Sequence, residues 1–171
     1  MAATYTLISS VTVGSGGAAN IEFTSIPATY TDLLVKVSLR LNTTAQPQGW
    51  QDMTLQFNGS STTYTGKRVL GTGSATGSSS DEYYYFANNL NSTSDTFNNA
   101  EIYIPNYTSS NQKSFSVDSV QENNGTAALA LLSAGLFNGT AVITSIKLLN
   151  NTGSYNLVQH STAYLYGISN A

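Results

Sequence analysis

Cysteine is absent from the 171 residues, so neither a disulfide nor a thiolate-held metal is available to this chain. That absence is expected of synthesis in a bacterial cytoplasm, where thiols bring no cross-linking benefit. Charge is scarce as well, at 9% of residues with a net charge of −3, against roughly 25% charged in an ordinary soluble protein. The six cations (Lys36, Arg40, Lys67, Arg68, Lys113 and Lys147) are scattered, with only Lys67 and Arg68 adjacent. A nucleic-acid binder concentrates positive charge on one face, so no DNA or RNA partner is expected. No run approaches the ~20 apolar residues of a membrane span. The start, MAATYTLISS, lacks the basic region and apolar stretch of a signal peptide, which predicts no membrane association and no ordinary secretory export.

Catalytic groups are equally few. His160 is the only histidine, in LVQHST, and no Gly-x-Ser-x-Gly occurs. A nucleophile needs a base in reach and a group to orient that base, so a lone histidine beside a strand reads as a surface or packing residue. Asp118 and Glu122 lie four apart on a strand-like run. At ~3.3 Å per residue that sets them ~13 Å apart, beyond the ~5–10 Å of a glycosidase pair. Asp81-Glu82 follows a Gly/Ser loop without the D-x-D-x-D-G pattern of a calcium loop. The Gly-x-Gly of GTGSATG has no helix after it to cradle a phosphate. No enzyme activity, cofactor or metal site is expected, and no residue is assigned a catalytic role.

What the chain does contain is hydroxyl and amide: serine, threonine and asparagine supply 62 of 171 residues. Solubility rests on them in place of charge. Seven Asn-x-Ser/Thr triplets, starting at Asn42, Asn58, Asn91, Asn106, Asn124, Asn138 and Asn150, follow from that composition, and several coincide with Asn-Gly turns.

Period-two alternation of apolar and polar residues recurs throughout, the mark of half-buried strands. LVKVSLRL sets Val35, Val37, Leu39 and Leu41 on one side, with Lys36, Ser38 and Arg40 opposite. Leu55 and Phe57, Ile102 and Ile104, and Phe115 and Val117 pair in the same way, with Tyr103 outside. VITSIKL aligns Val142, Ile146 and Leu148, and TYTLISSVTV and NIEF read as two further strands. The closing STAYLYGIS is a clean strand with Tyr164, Tyr166 and Ile168 on one face and Thr162, Leu165 and Gly167 on the other. AALALLSAGLF (127–137) suits a helix or a fully buried strand, and its strand neighbours favour the strand. Gly14-Ser15-Gly16-Gly17, Asn58-Gly59, Asn124-Gly125 and Asn138-Gly139 carry hairpin-turn chemistry. Pro27, Pro47 and Pro105 fall at the ends of runs, where a missing N–H breaks no ladder. The stretch 71–81 reads as a structureless loop. Nine to eleven strands with turns every 8–12 residues predict an all-β fold: one antiparallel, jelly-roll-like β-sandwich domain over residues 1–171.

The aromatic residues are the candidates for partner binding. Tyr83, Tyr84, Tyr85 and Phe86 follow the long polar loop, and Trp50 sits in PQGWQD, another apparent loop. Tyrosine and tryptophan offer flat amphipathic faces to proteins and, second, to sugars. In a strand, Tyr84 and Phe86 face one way and Tyr83 and Tyr85 the other, so one pair could instead fill a core. The N-terminal MAATYT, with Tyr5, is expected to add a strand to a neighbouring subunit.

Several segments together resemble small β-sandwich virion proteins of tailed bacteriophages. They are IPATYTDLLVKVSLR (26–40), LQFNGSSTTY (55–64), RVLGTGS (68–74), EIYIPNYTSSNQKSFSVDS (101–119) and ITSIKLLNNTG with STAYLYGIS. The resemblance implies a non-enzymatic structural protein on the exterior of a virion, made in the host bacterial cytoplasm. It implies a capsid decoration (cement) protein that binds the major capsid protein or other virion proteins, and a homo-oligomer, with a trimer favoured. The alternative is the receptor- or glycan-binding tip of a tail or head fibre, stacking host surface glycan on Trp50 and the Tyr83–Phe86 run.

Overall fold

The computed structural model describes residues 4–80, 82, 84–122 and 128–169, and every pairing between the strands it describes is antiparallel. In chain order these are β1 (Tyr5–Thr12), β2 (Asn20–Phe23), β3 (Asp32–Ser38), β4 (Trp50–Phe57), β5 (Tyr64–Gly71) and β6 (Thr76–Ser79). There follow β7 (Tyr85–Asn88), β8 (Asn99–Ile104), β9 (Lys113–Gln121), β10 (Leu129–Phe137), β11 (Ile146–Asn150) and β12 (Thr162–Ile168). A larger sheet runs β1-β12-β3-β8-β9-β10-β5-β6, and a smaller one runs β2-β11-β4-β7.

The pairing explains the architecture. Setting aside the hairpins β5–β6 and β9–β10, the other eight strands pair from the chain ends inward: β1 with β12, β2 with β11, β3 with β8, β4 with β7. Successive pairs alternate between the two sheets. A long antiparallel ribbon rolled over in this way is a jelly roll, and the two hairpins widen one of its sheets.

Alternation builds the core as read from the sequence. Val35, Val37, Leu55, Phe57, Ile102, Ile104, Phe115, Val117, Leu148 and Leu165 meet between the sheets in one cluster. β10 is a strand, as favoured, but it is not fully buried: Leu129, Leu131, Ser133 and Phe137 face the core while Ala130, Leu132 and Ala134 are exposed. In β1 a bulge between Leu7 and Ser9 shifts the register. The extra residue lets Ile8 and Val11, three apart, both pack on the core.

Several expectations need correction. Among the described residues there are twelve strands, because the stretch read as a structureless loop contains β6, which pairs with β5 from Arg68↔Ser79 to Gly71↔Thr76. Trp50 opens β4 instead of lying in a loop. The Gly14–Gly17, Asn58-Gly59 and Asn138-Gly139 turns close no hairpins, since each carries the chain from one sheet to the other. Asn124-Gly125 lies outside the described residues, although the strands it joins do pair as a hairpin. Thr162 shares the outward face of Tyr164 and Tyr166, while Ala163, Leu165 and Gly167 turn inward. Val142 precedes β11 and is not part of it. Arg40, read as outward, is buried, because β3 ends at Ser38 and its guanidinium turns to donate to the carbonyls of Ser92, Thr93 and Thr96.

Candidate functional site

The outer face of the larger sheet is the most distinctive surface of the molecule. Along β1, β12, β3 and β8 the register sets Leu7, Tyr166, Leu34 and Tyr103 in one row. The adjacent row holds Ser10, Tyr164, Lys36 and Glu101, and Tyr5 stands opposite Ile168. Tyr5 (56% exposed), Leu7 (52%), Tyr103 and Tyr164 are large apolar residues open to solvent on this face. Leu34, only 4% exposed, floors a depression of about 360 Å³ walled by Tyr5, Tyr166, Lys36 and Glu101. Side chains two rows apart on one face of a sheet touch, so these residues form a continuous amphipathic patch.

Local bonds hold the patch in place. The Tyr103 hydroxyl donates to Asp32 Oδ2 at 2.8 Å, and Asp32 Oδ1 accepts the Asn106 N–H at 2.8 Å. The bond to the Asp32 carboxylate raises the Tyr103 pKa above the ordinary tyrosine value. Lys36 Nζ meets Glu101 Oε2 at 2.9 Å, and that partnership raises the lysine pKa. Both partners are about half exposed, so the ion pair orders the surface more than it stabilises the fold.

The same face continues over β9, β10 and β5, where Val120, Leu132 and Val69 are also exposed. Asp118, Leu132 and Val69 lie in register there. Two shallow grooves of about 780 and 730 Å³ share Val69, Leu132 and Ser78, with hydroxyls of Thr76, Ser80 and Ser116 on their rims. The outward Ser114, Ser116 and Asp118 of β9 lie between these residues and the tyrosine patch, so the face carries two apolar areas separated by a polar strip.

The sequence-derived binding residues separate in space. Tyr5 joins the outer patch, but as part of β1 it pairs with Ile168 of its own chain. Tyr5 and Thr6 are thus already committed to this sheet, and any strand added by a neighbour would lie along the outer edge of β1 instead. Trp50 is half-buried on another surface, its ring edge-on to Phe86 at 6.0 Å, with Arg68 5.1 Å over the Phe86 ring. Tyr84 and Tyr85 are core residues, at 1% and 0% exposure. Tyr84 packs edge-on against Phe115 at 4.8 Å, and Tyr85 lies opposite Met53 in the inter-sheet core. Phe86 faces the other way and packs with Leu129, Leu131, Trp50 and Leu70. Tyr84 precedes β7 and packs in the same core as Tyr85, so the expected pairing of Tyr84 with Phe86 on one face does not hold, and β7 is buried along its whole length. Neither Tyr84 nor Tyr85 presents its ring to a partner. Tyr83 lies outside the described residues.

Leu7, Leu34, Lys36 and Glu101 were missed as site residues. The signal was present in Tyr164 and Tyr166 on the outward side of the last strand, but recognising the patch required knowing that β12 lies between β1 and β3. Among the described residues, no three of His, Asp and Glu converge as a metal-holding group. Comparison with known protein families, with curated proteins and with solved structures finds no match to this chain.

Proposed function

We propose that this chain is a non-enzymatic structural protein of a tailed-phage virion, a capsid decoration protein displayed on the exterior of the head. In this reading it binds the major capsid protein or another virion protein through the outer face of its larger sheet. The observation that carries the reading is the tyrosine- and leucine-rich patch of Tyr5, Leu7, Tyr103, Tyr164 and Tyr166 around the Leu34 depression. Aromatic residues on a flat, weakly charged face bury large areas at little entropic cost when a rigid lattice supplies the other side. Jelly rolls recur among viral capsid domains, which is a fold-level analogy and adds only to the prior. Low net charge permits many copies to sit close together without mutual repulsion. For the fibre-tip alternative, Tyr84, Tyr85 and Phe86 are interior, which leaves the half-buried Trp50 as its described aromatic.

The test is copy number in purified virions of the phage encoding this chain, by quantitative mass spectrometry against the major capsid protein. Hundreds of copies in fixed ratio to the capsid subunit are expected, and Tyr164→Asp with Leu7→Asp should empty the particle while leaving the free protein folded. A few copies in multiples of three or six would assign the protein to a fibre instead. Absence from particles would overturn the reading altogether.

A further inference from the structure

A second site lies at one end of the sandwich, where the loop between β7 and β8 meets the segment leading into β12. Leu90, Ser94, Asp95, Phe97, Val158, Gln159 and His160 surround a cavity of about 660 Å³, with Arg40 at its base. That size lies within the range of small-molecule sites.

Arg40 fastens both walls. Its guanidinium donates to the carbonyls of Thr93 and Thr96 at 2.8 Å each and of Ser92 at 3.3 Å, which holds the first loop. Its backbone accepts from Val158 N at 2.9 Å and donates to Ser161 Oγ at 3.1 Å, which holds the second. The rim side chains of Leu90, Ser94, Asp95, Gln159 and His160 are open to solvent, and the Asp95 carboxylate acts electrostatically on Arg40. Among the described residues, the side chains of Ser94, Asp95, Gln159 and His160 make no hydrogen bond or ion pair within the chain. Asp95 and His160 both hold positive φ, 62° and 72°, in segments otherwise pinned on each side. Non-glycine residues kept in this region cluster at ligand sites.

The chemistry of the rim restricts what can bind. Arg40 is spent on three carbonyls, and the Asp95 carboxylate repels anions. One carboxylate is too few for calcium, which takes six or more oxygens, and Asp95 with His160 falls short of the three or four protein ligands of a zinc site. What remains is an acceptor carboxylate, an amide, a hydroxyl and an imidazole beside the apolar surfaces of Leu90, Phe97 and Val158. We infer that this cavity binds a neutral saccharide, with Asp95 accepting from adjacent sugar hydroxyls and Leu90 and Phe97 covering the C–H face of the ring. The site is separate from the outer sheet patch and does not depend on the virion reading.

The experiment is a backbone-amide NMR titration of the intact protein with D-glucose, D-galactose, N-acetyl-D-glucosamine and, separately, inorganic phosphate. Saturable shifts confined to 90–97 and 158–160 are expected with at least one sugar, at a dissociation constant on the order of 1 mM. Asp95→Asn keeps the loop, because asparagine tolerates positive φ, and should weaken binding about 10- to 100-fold by removing a charge-assisted acceptor. Leu90→Ala should weaken it several-fold. Silence with every sugar, an Asp95→Asn titration equal to wild type, or shifts with phosphate alone would overturn the inference.

Discussion

Lys113 and Arg40 show how this fold uses charge that composition leaves scarce. Lys113 is 1% exposed, and its ammonium donates to the carbonyls of Ser109 at 2.7 Å, Asn111, and Thr140 at 3.3 Å. Burial lowers its pKa below the ordinary lysine value. Methionine has similar bulk but leaves three carbonyls without their donor. Lys113→Met should therefore cost roughly 2–4 kcal/mol, read as a lower urea midpoint at unchanged slope. Neither cage is legible in the sequence: alternation assigned Arg40 to the outer face, and no pattern of residues announces a ring of backbone carbonyls. Tyrosines give the pH dependence. Burial pushes Tyr64 up to about 12, and burial also raises Tyr85 and Tyr107, while Tyr103 is raised chiefly by its bond to Asp32. Unfolded tyrosine ionises near pH ~10, so below that both states hold their protons and stability does not change through these groups. Between about 10 and 12 the unfolded chain releases protons that the folded one keeps, and stability falls as pH rises. Tyr64 alone contributes a loss of roughly 2–3 kcal/mol by the top of that window. The share of tyrosinate absorbance that belongs to the buried Tyr64, Tyr85 and Tyr107 should therefore appear together with loss of the β-sheet circular dichroism signal; complete tyrosine ionisation with the sheet intact would contradict it.

At the scale of the element, strands were readable and their partners were not. Period-two patterning located β8, β9 and β12 because each buries only one face, and β3 through its outward Lys36 and Ser38, whereas the continuous Tyr84–Asn88 run is buried on both faces and gives no periodicity to read. Turn chemistry reports a local change of chain direction but not whether the next strand joins the same sheet. Asn58 illustrates the point. Its side chain accepts from Thr144 N at 2.8 Å and Ser145 N at 3.2 Å, and donates to Val142 O at 2.8 Å, so it ties the β4–β5 connection to the one before β11. β10 contains another feature that only the structure explains. Gly135 lies opposite Phe115, and a Cβ there would fall 2.1 Å from the ring. Phe115 cannot retreat, being wedged between Phe57 at 5.4 Å and Tyr84 at 4.8 Å. Gly135→Ala should thus destabilise by roughly 1–3 kcal/mol through overpacking. Alanine at Gly77, where a Cβ meets only Leu70 at 3.6 Å and beyond, should change the melting temperature little by comparison.

For the whole molecule, the sandwich class followed from composition and patterning, while the proposed docking face is visible only from strand order. The strands pair from the outside of the ribbon inward, so β12 lies between β1 and β3. β12 buries Ala163, Leu165 and Gly167 against the core while presenting Tyr164 and Tyr166 outside. Core and candidate interface therefore share one strand, and the two ends of the chain are unequal in consequence. Removing residues 1–12 takes away an edge strand whose inward contribution is the half-buried Ile8 and Val11, a loss of roughly 2–4 kcal/mol. The remaining chain should still melt cooperatively, with β12 as the new edge. Truncation after Ser161 removes Leu165 from the core and strips the ladder from both β1 and β3. That chain should show no cooperative melt and should be recovered only from inclusion bodies. Equal stability of the two truncations, measured by circular dichroism, would mean that the sheet does not close through its C-terminal strand. In that case the tyrosine patch, which exists only because β12 lies between β1 and β3, would have to be abandoned as the docking face.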